Sequence, residues 1–211
     1  MKIMPNTLHK PFGPLLMQTQ LSDKVFDILL NKSKSTRYDA NKDFRNKLAG
    51  NIAEEYKLEF DQEEKDLVYG ELITFAQQYM SEAKKERRIK KFGRPRAKDV
   101  QILEPIWVNF MKEGEWNPAH FHAGCISCVM YLQVPKEIED ENTQSESSKN
   151  SNQPSAGRIQ WTYGESIHFS ESFFTQTPKE KDVWFFPADL KHFVYPFKSK
   201  VERISISCNF K

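Results

Sequence analysis

"KDVWFFPADLKHFVYPFKSKVERISISCNF" (residues 181–210) contains three short runs rich in aromatic and β-branched residues, at 182–187, 193–197 and 202–210, with polar and proline-bearing turns between them. Such side chains pack well on a pleated surface, whereas Pro, Asp and Ser favour turns, so the stretch predicts strands rather than helix. Upstream, the same signature recurs at 101–111, 125–134, 158–163 and 165–174. From about residue 100 onward the chain therefore predicts an all-β sandwich or barrel.

The residues before it carry helical signals. Ser22 stands as a cap ahead of Val25, Ile28 and Leu29, and Asp61 with Glu64 has capping-box spacing ahead of Val68, Leu72, Phe75, Ala76 and Tyr79. The expected organisation is a helical region, 1–99, packed on a β core, 100–211, the two forming one structural domain. A chain of 211 residues with 38% apolar content can bury one large core. A net charge of +2 lacks the basic footprint of a nucleic-acid binder, so no such partner is expected. No apolar run approaches the roughly 20 residues of a membrane span. Three cysteines without secretory spacing, and a leader interrupted by three prolines, point to a reducing cytoplasm. The oligomeric state is left open.

Two polar segments carry little chemistry. "KKERRIKKFGRPRAK" (84–98) has nine Lys or Arg against one Glu and is expected to be the solvated basic end of a helix. "KEIEDENTQSESSKNSNQPSAG" (136–157) is acidic and nearly free of apolar residues. Residues 137–156 are expected to form a mobile loop, dispensable for stability and available as a lid. Cys125 and Cys128 are three apart on a predicted strand and so face opposite sides, which argues for packed thiols rather than a disulfide.

The histidines and one arginine carry the chemistry. On a strand, His120 and His122 would leave the same face with Cα atoms roughly 6.5 to 7 Å apart, so two imidazoles could converge on one metal ion. A first-row metal centre typically takes about three protein ligands and keeps positions open. His192, at a turn between two apolar strands, could swing toward the same barrel mouth. His9, in the Pro-rich leader, and His168, at a solvent-facing position, are weaker candidates. Arg203 and Ser205 are also two apart on a predicted strand, and a guanidinium facing a barrel interior needs an anion. Its planar fork suits a carboxylate.

Together, "WVNFMKEGEWNPAHFHAGCISCVMYLQVP" (107–135), "FFPADLKHFVYPF" (185–197) and "ERISISCNF" (202–210) resemble the Fe(II)- and 2-oxoglutarate-dependent oxygenases, in particular a prolyl-hydroxylase-like branch found in marine bacteria and their phages. The resemblance covers 100–211 and extends weakly to "LAGNIAEEY" (48–56). It implies a mainly β protein with N-terminal helices, built as a double-stranded β-helix, the cupin-like jelly roll. It places His120, His122 and His192 at the metal-ligand positions, and Arg203 with Ser205 at the 2-oxoglutarate C5-carboxylate. Asn109 and Tyr131 fall on strands flanking the histidine pair as further cosubstrate contacts. The implied reaction takes O2 and hydroxylates a C–H bond of a peptidyl or small-molecule substrate, releasing succinate and CO2. His122 stands where the family has Asp or Glu, so either three histidines form the ligand set or a carboxylate such as Asp189 completes it. A cupin is the alternative in the same architecture, with Gly114 ahead of the pair and Pro187 ahead of His192. Its expected glutamate is missing from 123–127, and it does not require Arg203. A non-catalytic β-sandwich binding module is the third possibility.

Overall fold

The computed structural model describes residues 13–85 and 97–211. His9 and residues 86–96 of the basic run lie outside the described residues. The first elements are β1 (Met17–Gln20), α1 (Asp23–Thr36), β2 (Glu55–Leu58) and α2 (Gln62–Lys85). Both helices start at the expected caps. The Val25 amide donates to Ser22 Oγ, while Asp61 and Glu64 exchange backbone N–H to side-chain bonds of 3.0 and 2.9 Å.

The later elements are β3 (Ile102–Met111), β4 (Asn117–His120), β5 (Ile126–Gln133), α3 (Lys136–Gln144), α4 (Glu146–Lys149), β6 (Ile159–Thr162), β7 (Phe173–Gln176), β8 (Asp182–Pro187), β9 (His192–Val194) and β10 (Arg203–Phe210). They form two antiparallel sheets, β1-β8-β5-β10-β3-β2 and β4-β9-β6-β7. The alternation along each strand of the larger sheet separates two cores. Ile204, Ile206, Cys208 and Phe210 of β10, with Val108, Phe110, Met130 and Phe185, pack against Leu29, Leu72, Ala76 and Tyr79 of the helices. The opposite face meets the smaller sheet through Met111, Tyr131, Trp184, Phe186, Ile159, Trp161 and Val194. Burying each large apolar side chain contributes about 1.5–3 kcal/mol, so both faces of the larger sheet are firmly covered.

Three findings depart from the sequence expectation. The helical region also supplies β1 and β2, which pair with β8 and β3 at the two ends of the larger sheet. Their four-residue sequences, MQTQ and EYKL, are too short and polar to announce themselves. The expected strand 165–174 reduces to β7: Ile167 and Phe169 are exposed, so the alternation there has no face to bury. The expected mobile loop 137–156 instead contains α3 and α4, and its few anchors are specific. Ile138 is buried, and the buried Asn142 donates to the Ile138 and Ala156 carbonyls while its Oδ1 accepts the Ala156 amide at 2.7 Å. Glu141 accepts the Lys198 and Ser199 amides. A few satisfied polar anchors order a segment whose composition alone would leave it unfolded.

Candidate metal centre and anion pocket

His120 closes β4 and lies directly opposite His192, the first residue of β9. His122 lies beyond the strand, so the two histidines do not share a regular strand as expected. It is held instead by its own amide, which donates to the Ala188 carbonyl at 2.8 Å, just before β9. Gly124 then turns the chain into β5 with φ +97°, where an added Cβ would sit 2.5 Å from the Phe210 carbonyl oxygen. The three rings converge, with centroid separations of 4.9 Å (120–122), 4.3 Å (120–192) and 5.0 Å (122–192). One ligating atom from each lies within 4.8 Å of the others, and among the described residues no carboxylate joins them. Asp189 is exposed. The three-histidine alternative is the one the geometry assembles.

Their tautomers and charges suit a cation. Nδ1 of His120 donates to the Pro118 carbonyl at 2.7 Å, and Nδ1 of His192 to the Leu190 carbonyl at 2.9 Å. A carbonyl only accepts, so Nδ1 carries the proton and the Nε2 lone pair is left free. Burial, with a smaller contribution from the neighbouring ring of His120, lowers His122 to about 4 and His192 to about 3, and burial also lowers His120. All three rings are thus neutral near pH 7. Trp107 lies 5.5 Å from His122, and Phe186 meets His192 edge-on at 4.8 Å, which fixes the ring positions.

The same cavity, about 130 Å3, is lined by the three histidines together with Asn109, Tyr131, Arg203 and Ser205. The register explains the grouping: Asn109 of β3 is opposite Ser205 of β10, which is opposite Tyr131 of β5. Arg203, two residues from Ser205, points the same way. Its guanidinium is fully buried, donates to the Gly157 carbonyl at 2.8 Å and to Met111 Sδ at 3.0 Å, and has no carboxylate partner among the described residues. Burial lowers its pKa accordingly. Nε of Arg203, the Tyr131 hydroxyl and Asn109 Oδ1 are buried without any hydrogen-bond partner. Burial raises the Tyr131 phenol to about 12, so it stays a neutral donor. A buried cation beside orphaned donors is an arrangement that an anion would satisfy.

A sequence model of the family described as "Putative 2OG-Fe(II) oxygenase" matches residues 105–209, which carry every one of these side chains. Through these residues the chain belongs to the 2OG-Fe(II) oxygenases. Fe(II) and 2-oxoglutarate are the cofactors of that family, and the three imidazoles are the group that could hold the iron. The oxygenase fold recurs in solved structures. A Pseudomonas putida prolyl-4-hydroxylase is 14% identical, with 93% of this chain and 91% of that chain covered at a TM-score of 0.51. A 2OG-Fe(II) oxygenase-family oxidoreductase from Burkholderia pseudomallei is 8% identical, with 94% and 84% covered at 0.52. HygX from Streptomyces hygroscopicus, solved with nickel, 2-oxoglutarate and hygromycin B bound, is 8% identical, with 94% and 82% covered at 0.51. No curated protein matches the sequence. No helix among the described residues is long and apolar enough to cross a membrane.

Sequence reasoning missed several residues of the cavity wall. Trp107, Phe186, Lys47 and Glu55 were not singled out as lining residues. Glu55 lies on β2, and nothing in EYKL signals an inward-facing acid until the pairing with β3 is known.

Proposed function

We propose that this oxygenase couples oxidative decarboxylation of 2-oxoglutarate to hydroxylation of a substrate C–H bond: substrate, 2-oxoglutarate and O2 give hydroxylated substrate, succinate and CO2. His120, His122 and His192 would hold Fe(II), which would supply the O2 chemistry together with 2-oxoglutarate. The observation that carries this reading is Arg203: fully buried, unpaired with any carboxylate among the described residues, and lining the histidine cavity. Its fork would bind the C5-carboxylate, with Ser205 as a second donor. The orphaned Tyr131 hydroxyl would donate to the same cosubstrate, and the Asn109 amide beside it would fix its orientation. Burial keeps the three imidazoles neutral and the Nδ1–carbonyl bonds align those of His120 and His192, so binding metal requires no proton release from them. Trp107 and Phe186 restrict water around the rings. Three free cysteines fit a reducing compartment, which we assign as the cytoplasm.

The test is anaerobic binding followed by turnover. Protein loaded with Fe(II) should bind 2-oxoglutarate with one-to-one stoichiometry and release succinate when O2 is admitted. A protein that retains iron but binds no 2-oxoglutarate would be a metalloprotein of another kind.

A further inference from the structure

Glu55 is the only carboxylate among the residues lining the histidine cavity. It is 2% exposed, yet its side chain accepts no hydrogen bond and forms no ion pair with any described residue. The register aims it inward: Glu55 is opposite Asn109, itself opposite Ser205 and Tyr131, so the four residues make one row across β2, β3, β10 and β5. A carboxylate that faces a cavity and receives no hydrogen bond from the protein is left for a ligand to supply the donor.

A second acceptor stands beside it. A Cβ built on Gly50 would lie 2.5 Å from Asn117 Oδ1, 3.0 Å from Glu55 Oε1 and 3.4 Å from Oε2, so amide and carboxylate oxygens converge on one spot that a glycine leaves open. No described residue donates to the Asn117 oxygen. Converging acceptors suit a cation bearing N–H donors. Lys47 also lines the cavity, but it is exposed and makes no ion pair with Glu55. Burial, and after it the charge of Glu115, raises the Glu55 carboxyl to about 7, the charge of Arg45 offsetting only part of the rise.

We propose that Glu55 and the Asn117 side-chain oxygen form a subsite for an ammonium or guanidinium group of the primary substrate, so that the molecule oxidised is a basic one. This rests on the oxygenase reading only for the word substrate; the cation site itself is a statement about binding. Asn117 and His120 are the ends of β4, three residues or about 10 Å apart. The oxidised carbon therefore lies several bonds from the cationic group, as in a lysine- or arginine-like chain.

The experiment uses wild type, Glu55→Gln and Lys47→Met, each loaded anaerobically with Fe(II) and 2-oxoglutarate. Each is titrated calorimetrically with free L-lysine and L-arginine, with the blocked tripeptides Gly-Lys-Gly and Gly-Arg-Gly, and with L-norleucine and L-citrulline as neutral counterparts. Wild type should bind at least one basic probe tenfold or more tighter than its neutral counterpart. Tighter binding of the free amino acids identifies a small molecule as the source of the cation, and tighter binding of the tripeptides a peptidyl residue. Glu55→Gln should lose that preference while keeping iron content and 2-oxoglutarate affinity. Lys47→Met should keep it. Wild type with no preference for basic probes, an undiminished preference in Glu55→Gln, or its loss in Lys47→Met overturns the proposal. Preferential binding of a basic probe in a protein that binds no 2-oxoglutarate would remove the oxygenase reading and leave the subsite standing.

Discussion

Replacing Arg203 by methionine should lower stability relative to wild type chiefly when 2-oxoglutarate is present. In the ligand-free protein, the buried guanidinium has two neutral partners, the Gly157 carbonyl and Met111 Sδ, and no counter-anion. Replacing a buried ion by an apolar side chain of similar size is commonly neutral or stabilising, by about 1–4 kcal/mol. Against this, the Gly157 carbonyl loses its donor, at a cost of about 1–3 kcal/mol. The two ranges largely cancel, so Arg203→Met without 2-oxoglutarate should melt close to wild type. Saturation separates them. At a ligand concentration of about 100 Kd, wild type gains roughly 2.7 kcal/mol, which for a chain of this size is about 5–11 °C in melting temperature. The methionine variant should gain almost nothing. Arg203→Lys should lie between, since an ammonium keeps the charge but not the fork: a loss of about 1.5–3 kcal/mol, or roughly 10- to 150-fold in affinity. Thermal melts of the iron-loaded proteins, with and without 2-oxoglutarate under nitrogen, read all of these. If 2-oxoglutarate stabilises Arg203→Met as much as wild type, the guanidinium does not hold it.

Three further outcomes are expected. His120→Ala and His192→Ala should each lose tightly bound iron, measured by metal analysis after anaerobic gel filtration, while keeping the circular dichroism of wild type; equal iron content would strike both from the ligand set. Asn142→Ala should lower the melting temperature by about 2–4 °C for each kcal/mol lost, with about 1–3 kcal/mol at stake in its three hydrogen bonds, and deleting residues 139–154 should do at least as much damage; an unchanged melt in both would return the segment to the mobile loop its composition suggests. A pH series should isolate Glu55, whose carboxyl is raised from 4.5 to about 7 in the fold by burial first, then by Glu115, with Asp43 adding and Arg45 opposing. Between those values the folded state binds the extra proton, so this group makes stability fall as pH rises. Glu55→Gln should remove that fall, and parallel melting profiles for variant and wild type would contradict the burial of an unpaired acid.

The aromatic and β-branched runs were enough to predict β3, β5, β6, β8 and β10, because a strand buried on both faces writes its composition locally. The two caps were equally legible, since Ser22 and the Asp61–Glu64 pair act within one helical turn. His120, His122, His192 and Arg203 could be singled out because residue types so costly to bury stand out inside apolar runs. What the sequence could not supply was convergence. His122 reaches the other two rings through the hydrogen bond its amide donates to the Ala188 carbonyl, sixty-six residues on, and not through strand alternation. The absence of a carboxylate from the ligand set, and of a counter-ion from Arg203, follows from where every other acid of the described chain ends up. Segment 136–157 was misjudged because composition averages over residues, whereas three side chains, Ile138, Glu141 and Asn142, order it through partners at 156, 198 and 199. Glu55 is the extreme case: a glutamate in a polar four-residue strand becomes a buried acid facing the histidine cavity only when β2 pairs with β3, because pairing between strands, and not sequence, decides which face of a short strand looks inward.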